Sequence, residues 1–256
     1  MPSQSFIMSI RYQFPLSILP ALALDMLARR RRSFKADADA CIRGLQPPLR
    51  VLGKENIPSL GPCVVTVNHY HRPGFSAEWL ALAISASLPL EMHWIMTAEF
   101  TAPGKWYEPL KGVYSRWLLK VLSNLYGFTT MPPMPPRKGD VGERARSVRK
   151  VLSLMRDDRH TVLGLAPEGS DQIDGSLSYP PPGVGRFGLL LADLGCEFVP
   201  VGAYEGGEAF CLHFGFSYRL SLPSGLSTEK KDARAAEMIM KRIAPLLPES
   251  LRGEFK

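Results

Sequence analysis

The chain lacks any uninterrupted apolar run of the roughly 20 residues that a membrane-spanning helix requires. The nearest candidate, residues 14–27, contains Pro15, Pro20 and Asp25 and ends in Arg29-Arg30-Arg31-Arg32. A secretory leader carries its positive charge ahead of the apolar stretch. Here only Arg11 precedes the stretch and the arginines follow it, so secretion is not expected. Cysteine is scarce: Cys41, Cys63, Cys196 and Cys211 lie far apart and form no CxxC pair. That spacing excludes a zinc knuckle and a disulfide framework, and reduced thiols in the cytosol are expected. No GxSxG segment marks a nucleophilic serine. The basic runs have no interleaved aromatics, so nucleic acid is not an expected partner.

What is present is a chain of 256 residues, enough for one large α/β domain. Its net charge of +7 attracts anionic partners without choosing among them. The segment from Phe14 to the four arginines suits a helix lying on an anionic bilayer. A helix packed on the domain and followed by a solvated basic turn would leave the same pattern. The expected division is an N-terminal helical, membrane-associating segment over 1–45 and an α/β domain over 46–256.

Short β-branched apolar runs alternate with helical patterns. Strands are predicted at 49–52, 63–67, 93–96, 127–130, 161–165 and 197–204, with an alternating antiparallel strand at 209–220 that turns Phe216 inward with Phe210, Leu212 and Phe214. Helices are predicted at 76–87 with Ser76 as N-cap, at 110–125, from Asp140 to 157, and at 187–194 and 228–247. In the Asp140 helix the spacing turns Val141, Ala145, Val148, Leu152 and Met155 inward. Strands alternating with helices predict a single domain with a largely parallel central sheet flanked by helices, whose sites lie at the carboxyl ends of strands.

Two segments end strands in reactive residue types. Asn68-His69-Tyr70-His71-Arg72-Pro73-Gly74 follows the CVVTV run, and histidine there suits a general base because imidazole ordinarily titrates near neutrality. A hydrogen-bonded loop histidine is the competing reading. The His69-x-His71 pair alone would suit a metal, but His93, His160 and His213 lack ligand spacing and no carboxylate cluster accompanies them, so no metal is expected. Pro167-Glu168-Gly169-Ser170 ends the second strand. Gly183-Val-Gly185-Arg-Phe-Gly188 matches the dinucleotide pattern, which must follow a strand. Tyr179-Pro180-Pro181-Pro182 precedes it instead, so no nucleotide cofactor is expected. A phosphate-accepting loop at a helix N-terminus stays open on the same physics.

In order, "VVTVNHYHRPGF", "LYGFTTMPP", "LGLAPEGSDQIDG" and "EFVPVG" resemble the four blocks of the glycerol-phosphate and lysophosphatidate acyltransferase superfamily. The resemblance spans about Leu49 to Gly202. It implies an acyltransferase-like α/β fold and transfer of a fatty acyl group from acyl-CoA or an acyl carrier protein to a glycerolipid-like hydroxyl. It implies His69 as general base, no cofactor, and a peripheral place on the cytoplasmic face of a membrane. Asn68, Arg72, Glu168, Gly169, Ser170 and Arg186 are then the expected substrate-binding residues. The sequence departs from the family at three blocks. The His-x4-Asp carboxylate position is Gly74, which leaves Glu78, one turn into the next helix, as the candidate to orient His69. Ser170-Asp171 stands where the family has Thr-Arg, and the second block lacks its arginine, with Arg137 and Lys138 just beyond. A carboxylate at Asp171 disfavours a phosphate monoester, so the expected acceptor has a neutral, zwitterionic or cationic head.

Overall fold

In the computed structural model, residues 10–100, 108–134, 137, 139–170 and 174–256 are described. The strand β2 (Cys63–Val67) is buried at every residue, as a strand covered on both faces must be. Its alternation feeds two cores: Cys63, Val65 and Val67 enter one, and Val64 enters the other. Parallel partners flank it on both sides, β5 (Val162–Leu165) and β6 (Glu197–Gly206).

Beyond β5 lie β3 (Met92–Thr97) and β4 (Thr129–Met131), both parallel. Beyond β6 lie β7 (Ala209–Phe214), antiparallel to it, and β1 (Arg50–Leu52), parallel to β7. Among the described residues these seven strands form one sheet in the order β1-β7-β6-β2-β5-β3-β4. Gly164 faces Trp94 across the β5–β3 pair, where a Cβ would come within 2.4 Å of the indole. Trp94 in turn donates its Nε1–H to Ser85 Oγ at 2.9 Å.

One face of the sheet carries α2 (Phe34–Arg43) and α3 (Glu78–Ser87), whose Ala38, Cys41, Trp79 and Ile84 join the first core. The other carries α5 (Asp140–Asp157), α6 (Val184–Asp193) and α7 (Thr228–Ile243). The expected boundary at residue 45 therefore falls after a helix that is part of the main core. The helices α1 (Leu19–Leu27) and α4 (Glu108–Tyr126) pack on each other. None of the described helices is long and apolar enough to cross a membrane.

Three local expectations are corrected. The α3 N-cap is Ala77, and Ser76 contributes only its carbonyl, to Trp79 N–H. In α5 the buried positions are Ser147, Val151 and Met155, while Val141 is exposed. Met155 is buried as expected and Val148 and Leu152 pack against the core, while Ser147 joins them because its Oγ finds a partner inside, Thr130 O at 2.7 Å. The strand predicted over 209–220 stops at Phe214: Gly215 N–H still bonds Pro200 O, but the next pairing, Tyr218 with Phe198, is one residue out of register, and Phe216 between them is left 77% exposed.

Candidate active site

Val67 is the last residue of β2, and the chain leaves the sheet at Asn68. The Asn68 amide donates to Ala203 O at 2.9 Å and accepts from Ala203 N–H at 2.7 Å. These bonds extend the ladder one step past Val67 and fix the direction in which His69 emerges. Asn68, expected to meet substrate, is instead buried with both of its polar ends on the β6 backbone. His69 is half-buried, and its backbone N–H donates to Glu168 Oε2 at 2.6 Å.

Glu168 follows the neighbouring strand β5 and is 3% exposed. Its other oxygen accepts from the N–H and hydroxyl of Ser178, at 2.8 and 3.2 Å. Burial pushes its carboxyl above the ordinary range, and the His69 and Ser178 donors together with the charge of His69 oppose that push. One buried carboxylate thus ties the ends of β2 and β5 to the loop that carries Ser178. Glu168 stands behind His69 and reaches it through the backbone.

Arg72, also expected to bind substrate, is held in a bidentate pair with Glu205, at 2.6 and 2.7 Å. Tyr12 OH donates to the same carboxylate at 2.6 Å. The pair pins the His69–Gly74 segment to the end of β6 and to the N-terminal stretch. On the other side of that segment, Gly175 has φ +68°, and a Cβ there would lie 2.4 Å from His71 O.

Gly74 itself has φ +80° in a turn closed by Phe75 N–H to Arg72 O. The site where the family carries its aspartate is therefore left-handed backbone here. Glu78 opens α3, is exposed, and makes no hydrogen bond or ion pair among the described residues. A carboxylate in a helix's first turn has its own electrostatic reason to be there. No hydrogen bond or ion pair joins Glu78 to His69 among the described residues.

Gly169, at φ +69°, donates its N–H to Ala166 O at 3.2 Å, so the amide expected to meet developing charge closes a turn. Ser170 is exposed beside it. Asp171 and Lys138 lie outside the described residues. Arg137 pairs with Glu99, just after β3, so the proline-rich loop does reach back to the sheet's carboxyl end.

The glycine-rich loop is also filled from within. Asp232 of α7 accepts from Gly183 N–H at 2.6 Å and from Arg186 N–H at 2.7 Å. Gly185 lets α7 approach so closely that a Cβ would lie 1.9 Å from Asp232 O. A carboxylate at the N-terminus of α6 repels the phosphate that such a loop otherwise attracts. The Arg186 side chain is exposed on the first turn of α6. Sequence reasoning missed Glu205, Asp232 and Ser178, which carry no local signal because their partners are distant in the chain. The four cysteines are free and buried, and burial pushes the Cys63 and Cys41 thiols up to about 12 and about 11.

No protein-family model and no curated protein matches the chain. Among solved structures it is similar to the 1-acyl-sn-glycerophosphate (LPA) acyltransferase PlsC from Thermotoga maritima. The identity is 17%, covering 83% of this chain and 77% of that one, with a TM-score of 0.45.

Proposed function

We propose that this chain transfers a fatty acyl group from an acyl thioester to the hydroxyl of a glycerolipid-like acceptor, with His69 as general base. The observation that carries the reading is the hydrogen bond from His69 N–H to Glu168. It joins two blocks 99 positions apart at the carboxyl ends of neighbouring parallel strands, where open α/β sheets keep their sites.

His69 takes the proton of the acceptor hydroxyl while its oxygen attacks the thioester carbonyl. The carbon–sulfur bond breaks, and the departing thiolate of coenzyme A or an acyl carrier protein takes the proton back from the imidazolium. General-base action of this kind contributes roughly 10²–10⁴-fold, and positioning supplies the rest. Glu168 is a positioning residue that holds the His69 backbone. Burial raises the Glu168 carboxyl, and positive charge at His69 opposes that, so an imidazolium that develops there would favour the carboxylate behind it. That supplies a carboxylate where Gly74 has none.

The acceptor in this reading has a neutral, zwitterionic or cationic head. Asp171 and Asp174 make the loop after Glu168 acidic, and Arg72 is matched by Glu205. The molecule works at the cytoplasmic face of a membrane. Leu16, Leu24 and Leu27 around α1 and Leu110, Val113 and Trp117 of α4 are all more than half exposed, next to the arginine run.

A second reading, a catalytically silent lipid-binding protein of the same build, is favoured by Gly74 and by Glu78, which makes no hydrogen bond or ion pair among the described residues. One experiment separates them: thiol release from an acyl thioester across a panel of lysolipid and hydroxylated acceptors. Acceptor-dependent release, faster with uncharged or zwitterionic heads than with lysophosphatidate, supports the first reading. No release with any acceptor supports the second, and fastest release with lysophosphatidate contradicts the acceptor assignment.

A further inference from the structure

A second cluster of charge lies at the other end of the sheet. His93 is the second residue of β3 and Thr129 the first of β4, so both sit at amino ends, opposite His69. They border a cleft of about 660 Å³ whose lining includes Arg31, His93, Gly127, Lys150 and Ser153.

The positive groups, Arg31 and Lys150, come from two separate segments and meet no matching carboxylate among the described residues. Arg31, in the α1–α2 connection, makes no hydrogen bond or ion pair among the described residues. Lys150, on α5, donates only to Phe128 O, at 3.4 Å. His93 Nε2 lies 2.8 Å from Thr129 Oγ1. The acids nearby in sequence or contact are already engaged. Asp37 accepts from Arg32 at 2.5 and 2.6 Å and from Tyr126 OH at 2.8 Å. Asp157, one turn beyond Ser153 on α5, accepts from Ser153 Oγ at 3.0 Å.

Arg31 is held in place. Its neighbour Arg32 is fixed by Asp25 and Asp37, and Arg32 N–H donates to Leu125 O at 3.0 Å. This clamp lays residue 31 over the end of α4, where Gly127 leaves room. A Cβ at 127 would lie 1.9 Å from Arg31 Nη1. Gly127 also ends α4 at φ +78°, so the glycine serves the helix stop and the guanidinium together. Burial pushes the His93 imidazole down to about 4, and the charges of Lys150 and Arg31 add to that push.

We infer that Arg31, Lys150 and His93 form a binding site for a phosphate-type anion at the amino end of β3 and β4. A guanidinium and an ammonium converging on one cleft are the donors such an anion recruits. The site adjoins the exposed leucines at the end of α1, so the anion is either a phospholipid headgroup or a free phosphate. The inference does not rest on the acyl-transfer reading.

The test follows the His93 imidazole by NMR in the full chain at constant ionic strength. Inorganic phosphate and water-soluble short-chain phosphatidylglycerol are titrated separately, with short-chain phosphatidylcholine as control. A bound anion offsets the field of Arg31 and Lys150. The expected result is a saturable change in the His93 signal and a rise of its pKa toward the ordinary histidine value. In Arg31→Gln/Lys150→Gln, whose replaced side chains are exposed, the apparent affinity falls about tenfold or more. Arg31→Lys, which keeps the charge, retains most of it. A response to phosphate itself identifies a free-phosphate site. A response to phosphatidylglycerol alone identifies a headgroup site. No saturable response to either anion, an undiminished response in the double variant, or an equal response to phosphatidylcholine overturns the inference.

Discussion

Glu168 carries a charge into the protein interior, and its two oxygens are shared among three donors from two segments. Glu168→Gln swaps one oxygen for an NH2 group that must face an N–H or O–H donor. The expected cost is about 1–3 kcal/mol in denaturant unfolding at neutral pH, and an unchanged midpoint and slope would mean the donors are not held. The raised carboxyl of Glu168 adds stability at acid pH that is lost as pH rises through its folded value. His93 works in the opposite sense. Its folded value is depressed from 6.5 to about 4, so its contribution is complete above 6.5 and lost as pH falls toward 4. That difference amounts to about 3 kcal/mol at most. His93→Gln should therefore flatten the stability curve between these two pH values; an unaltered slope would show that other groups set it. The placement of His69 and Glu168 at strand ends was legible in the sequence because each follows an apolar run. Their partners were not, since nothing local in Asn68 or Arg72 announces Ala203 or Glu205.

At the scale of elements, the start of α6 depends on a side chain from α7. Asp232→Ala removes the acceptor of Gly183 N–H and Arg186 N–H, at an expected cost of about 1–2 kcal/mol. Asp232→Asn should cost less because the amide oxygen still accepts. Equal losses in thermal or denaturant unfolding would assign the effect to charge instead of capping. Strands and helices were readable wherever hydrophobic period and burial agree, as in β2 and in α7, whose Ala236, Met240 and Ile243 fall at helical spacing and are buried. They were misread where a polar residue turns inward to a backbone carbonyl, as Ser147 does in α5. The alternation also misled where the pairing with β6 slips by one residue, between Gly215 and Tyr218, around Phe216.

At the scale of the molecule, the N-terminal stretch is part of the fold and also carries the exposed Leu16, Leu24 and Leu27. Tyr12 reaches Glu205 and Arg32 reaches Asp37, so deleting the stretch would disturb the domain. Replacing Leu16, Leu24 and Leu27 with serine leaves those anchors intact. The expected result is loss of salt-sensitive sedimentation with anionic vesicles at unchanged thermal stability. Retained binding would assign attachment to another surface. The largely parallel α/β build was legible from the alternation of strands and helices. The packing of α2 into the core was not, because its apolar positions look like those of any surface helix.

The central claim is that His69 is the base, and comparing two histidine variants tests it most directly. In an acceptor-dependent thiol-release assay, His69→Ala should fall to background while His71→Ala keeps most of the rate. Equal losses in the two, or a His69→Ala rate near that of the unaltered chain, would contradict it.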